Sequence, residues 1–71
     1  MNIDELQLRA KHLEERISAA KAETRIALQP QFSRVLSKIA AEGARVPRRM
    51  RQLDAALLDE AIEARFDNMP V

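Results

Sequence analysis

Side chains able to do chemistry are few in this chain. The one histidine, His12, has Glu14 and Glu15 as its nearest acidic neighbours. His12 and Glu15 offer two ligands on one helical face, whereas a catalytic zinc takes three from the protein. Di-metal bundles use Glu-x-x-His from facing helices, but Arg9 occupies the position three before His12. Ser18, Thr24, Ser33 and Ser37 have no neighbouring base to activate a hydroxyl. A single glycine cannot build a phosphate-cradling loop. There is no cysteine, so thiolate chemistry and disulfides are absent. The expectation is a non-enzymatic chain with no cofactor and no metal, in which His12 is a surface residue.

What remains is electrostatic. The stretch RVPRRMR places Arg45, Arg48, Arg49 and Arg51 around Pro47, just after Gly43. Net charge is only +1, yet it is sorted along the chain. Residues 1–29 are balanced, 30–52 carry six basic groups against one acidic, and 53–71 carry five acidic against one basic. A helix built on the last segment runs against its own dipole. Cations stand at the end that favours anions, and Asp59, Glu60, Glu63 and Asp67 at the end that favours cations.

The elements that must position these groups read as helices. No β-branched or aromatic run alternates with period two, so no strand is expected. Asn2 is a helix cap with Glu5 three residues on, able to complete a capping box. From there Ile3, Leu6, Ala10, Leu13, Ile17 and Ala20 alternate by three and four as a heptad seam, continued by Thr24 and Ala27. Pro30 removes a donor and disfavours helical angles at Gln29. No Gly, Asn, Asp or Ser lies nearby to help a reversal, so a kink is expected there. Leu28, Phe32, Val35, Leu36 and Ile39 continue the apolar line. Gly43 suits a left-handed helix end, and Pro47 the first turn of a new helix. That helix puts Met50, Leu53, Leu57, Ala61 and Ala64 on one line, with Leu58, Ile62 and Phe66 widening the face.

These signals predict one all-α domain over residues 1–71. Helix 1 spans about 3–29, and helix 2, or its kinked continuation, 30–42. A turn follows at Gly43–Val46, then an antiparallel helix 3 over 47–66 and a tail over 67–71. Of the apolar residues, 12 are alanine and there is no Trp or Tyr, a thin core for a chain of 71 residues. A 3–42 helix would reach roughly 60 Å at about 1.5 Å per residue, twice the reach of helix 3. The seam from Ile3 to Ile17 would then lack a partner in its own chain.

The expectation is therefore a helical hairpin or coiled-coil-like bundle completed by a homo-oligomer, a dimer or tetramer. Leu6→Glu or Leu13→Glu should break that oligomer. An acidic protein surface is a second partner suited to the arginines. No charge-free run is long enough for a membrane span, the N-terminus lacks the order of a secretion signal, and a cytoplasmic location is expected. The alternative function is a helix-turn-helix-like DNA-binding regulator. KIAAEGARVPRRMRQL is similar to such units in general texture, with the basic cluster opening a recognition helix. The acidic second half of that helix would repel DNA.

Overall fold

The computed structural model describes the backbone of residues 2–67 and the side chains of residues 2–65. Three α-helices form a bundle: α1 (Ile3–Ala19), α2 (Ala22–Ala41) and α3 (Arg48–Asp67). The all-α class, the turn after α2 and the antiparallel return of the last helix are as the sequence predicts. The tail beyond Asp67 lies outside the described residues.

Asn2 is extended, and its Oδ1 accepts the Glu5 N–H at 2.8 Å, the first half of a capping box. The seam stays helical only as far as Ala19. Ala20 (φ −90°, ψ 157°) and Lys21 (φ −74°, ψ 164°) are both extended and reverse the chain. This corrects a first helix running to 29. Neither residue has positive φ, so the reversal makes no demand for glycine or asparagine, and ordinary residues make it. The Ala20 N–H bonds back to the Ile17 carbonyl at 3.2 Å, and the Lys21 carbonyl accepts the Arg25 N–H at 2.9 Å to open α2.

Helix α2 continues through Pro30, so the chain does not reverse there, as expected, but the helix boundary expected at 29–30 is absent. The ring deprives the Ile26 carbonyl of its usual donor, which costs about 3 kcal/mol in a helix interior. Burial on both sides of Pro30 offsets that cost. Leu28, Phe32, Val35, Leu36 and Ile39 are all buried, while Pro30 itself is exposed. Each large side chain so buried contributes about 1.5–3 kcal/mol.

The end of α2 is a Schellman motif. Gly43 sits at φ +83°, its N–H bonds to the Ala40 carbonyl at 3.0 Å, and the Ala44 N–H reaches the Ile39 carbonyl at 3.2 Å. Val46 drops into the core, and the Pro47 carbonyl accepts the first α3 donors from Met50 and Arg51.

The core is one cluster. Leu6, Ala10, Leu13 and Ile17 of α1 meet the buried line of α2, and Met50 and Leu57 of α3 complete it. Helix α2 is central, with α1 and α3 both packed on it.

Candidate interaction surfaces

The predicted oligomer seam is the core of the single chain. Leu6, Ala10, Leu13 and Ile17 are at most 3% exposed, and Ile3 and Ala20 are half-buried at its ends. The reversal at Ala20–Lys21 brings α2 over the seam, which needs no second chain to cover it. Thr24 and Ala27, its expected continuation, are exposed.

The arginine cluster separates into unlike parts. All four arginines are exposed. Arg49 Nε donates to Glu14 Oε2 at 3.0 Å and ties the start of α3 to α1. That is a structural role the sequence did not reveal, because Glu14 lies on another helix. Arg45, Arg48 and Arg51 have no carboxylate partner among the described residues. Arg45 and Arg51 flank an open groove with Ala40 and Gly43 at the carbonyl end of α2, whose partial negative charge suits them.

Two polar contacts set the register of α3 on α2. Arg25 Nη2 donates to Glu60 Oε2 at 3.1 Å, and Gln29 Nε2 donates to Asp54 Oδ1 at 3.2 Å. Arg25 thus faces the acidic half of α3. Arg34 and Lys38 instead line a groove between α1 and α2 with Arg9, Leu6, Pro30 and Val35. This second basic surface was hidden in the sequence, since Arg9 joins the other two only through the reversal at Ala20.

A third surface lies on α3. Its buried and half-buried apolar residues among those described, Met50, Leu53, Leu57, Ala61 and Ala64, face inward as predicted. Leu58 and Ile62 do not widen that inward face, being 50% and 45% exposed. With the exposed Ala55 they form a separate apolar stripe, turned away from Arg49 and hence from α1. The signal in the sequence was a second apolar line one position behind the first.

His12 is exposed, and among the described residues no His, Asp and Glu cluster could hold a metal ion. No described helix is long and apolar enough to cross a membrane. No protein-family model matches the chain, and no curated protein or solved structure matches it.

Proposed function

We propose that this protein is a small non-enzymatic interaction module that docks on protein through the outer face of α3. The observation that carries the reading is the stripe of Ala55, Leu58 and Ile62, left exposed on a chain with few large apolar residues to spare. Surface leucines and isoleucines scattered singly need no explanation, whereas a contiguous stripe rimmed by charge suits a partner. The rim has both signs, from Arg48 and Arg51 to Asp59 and Glu63, and mixed charge favours a specific protein alignment over a polyanion.

A photo-crosslinking residue in place of Leu58, introduced in the cells that make the protein, tests this. A protein adduct is expected at position 58 and not at the opposite, exposed position Gln31. Nucleic acid alone at position 58, or no adduct, would sink the reading.

One observation favours a second reading, nucleic-acid binding. Arg45, Arg48 and Arg51, together with the separate Arg9, Arg34 and Lys38 groove, are basic residues without carboxylate partners among the described residues. Phosphate binding through them would weaken steeply with salt. A mixed-sequence duplex that shows no retardation at physiological salt would remove this reading.

A further inference from the structure

The outer face of α3 has a symmetry that names its occupant. At about 100° per residue, Arg51, Ala55, Leu58 and Ile62 fall on one line, all exposed, with steps of four, three and four. Beside it runs a second exposed line of Arg48, Gln52, Asp59 and Glu63, with steps of four, seven and four. Both spacings read the same from either end.

An antiparallel copy of the helix therefore meets the first in register. Leu58 falls against Ala55 of the second copy, and Ile62 against the aliphatic stem of its Arg51. On the flank, whose pattern centres one residue earlier, Arg48 reaches Glu63 and Gln52 reaches Asp59 across a level difference of about 3 Å that these long side chains span. Each contact occurs twice, as a two-fold interface requires. The pairing also accounts for the charges that oppose the α3 dipole. The arginines at its start meet the acidic end of the other helix, and two antiparallel helix dipoles attract. Arg65, on the far flank, is left without an acidic counterpart.

We propose that α3 pairs antiparallel with α3 of a second copy of this chain, about a two-fold axis near Ala56 and Leu57. The inference rests on the docking reading above and names the partner.

Sedimentation equilibrium of the full chain, from low to high micromolar, tests it. A dimer is expected. Leu58→Glu and Ile62→Glu should each weaken it about 100-fold, since the axis applies each change twice. Arg48→Glu and Glu63→Arg should each weaken it about 10-fold, and the combined variant should recover the original constant. All four positions are exposed, so an unchanged thermal melt at high dilution will show that the variants still fold. A monomer throughout, a dimer indifferent to Leu58→Glu, or a combined charge swap no better than its single components would each overturn the proposal. A monomer that still gives a protein adduct at position 58 overturns the second copy alone. Absence of any adduct there sinks the docking reading itself.

Discussion

Helices α1 and α3 pack on the same helix by different means. Helix α1 lays an unbroken apolar line on α2, Leu6, Ala10, Leu13 and Ile17 being nearly inaccessible. Among its described residues helix α3 buries Met50 and Leu57, 4% and 0% exposed, and two polar contacts to α2 and one to α1 hold it in place. Apolar burial carries most of the free energy but is indifferent to small slips along the axis. Hydrogen-bonded side chains add less energy and choose one alignment. The α1–α2 pair is thus the stable half of the molecule. Helix α3 is the aligned half, with a whole face to spare for another molecule.

The largest effect that separates the two halves compares leucines on each. Leu6→Ala should cost about 2–5 kcal/mol in urea unfolding, as expected for a filled site that cannot collapse. Leu58→Ala should change monomer stability by about 0.5 kcal/mol or less, since half of the side chain is already in water. A domain this small has a stability of only about 5 kcal/mol. Leu6→Glu and Leu13→Glu would therefore unfold the chain and report nothing about assembly. Equal costs for the two alanine variants would break the comparison.

The next effect tests whether the central helix is continuous. Pro30 is exposed within α2, and alanine there restores the donor that the Ile26 carbonyl lacks. Pro30→Ala should raise stability by up to about 3 kcal/mol. If Pro30 instead ended one helix and began another, alanine would remove a terminator and stability would not rise.

The legibility of these features in the sequence follows the range of the interactions that make them. Asn2, Gly43 and Pro47 act on backbone within a few residues, so the ends they mark could be read directly. The Ala20–Lys21 reversal could not, because two extended residues of ordinary type carry no turn chemistry. Its only trace is the seam fading at Thr24 and Ala27 while a stronger line opens at Leu28 and Phe32. Pro30 misplaced a helix boundary for the opposite reason: a strong local signal was overridden by tertiary burial on either side of it. Once the reversal was misplaced, the residues it brings together were hidden as well. The Arg49–Glu14 contact and the basic groove of Arg9, Arg34 and Lys38 both depend on which helix lies beside which. The inward line of α3 was legible from its period, whereas the exposure of Leu58 and Ile62 depends on how far α2 reaches around that helix.

The smallest effects sharpen the account of α3, because its two ion pairs differ in shielding. Arg25 and Glu60 are 29% and 35% exposed, and Arg25 Nε is buried without a partner. Glu60→Ala therefore leaves a half-buried guanidinium without its counter-charge and should cost about 1 kcal/mol after allowance for screening. Arg49 is 66% exposed, so Glu14→Ala leaves behind a well-hydrated guanidinium and should cost about 0.5 kcal/mol or less. Raising the salt concentration should diminish the Glu14 effect first, since screening acts most where the remaining cation is exposed. Urea unfolding of both variants at low and high salt measures the difference. If Glu14→Ala costs as much as Glu60→Ala, then α3 is held to α1 as firmly as to α2, and its alignment does not belong to the α2 contacts alone.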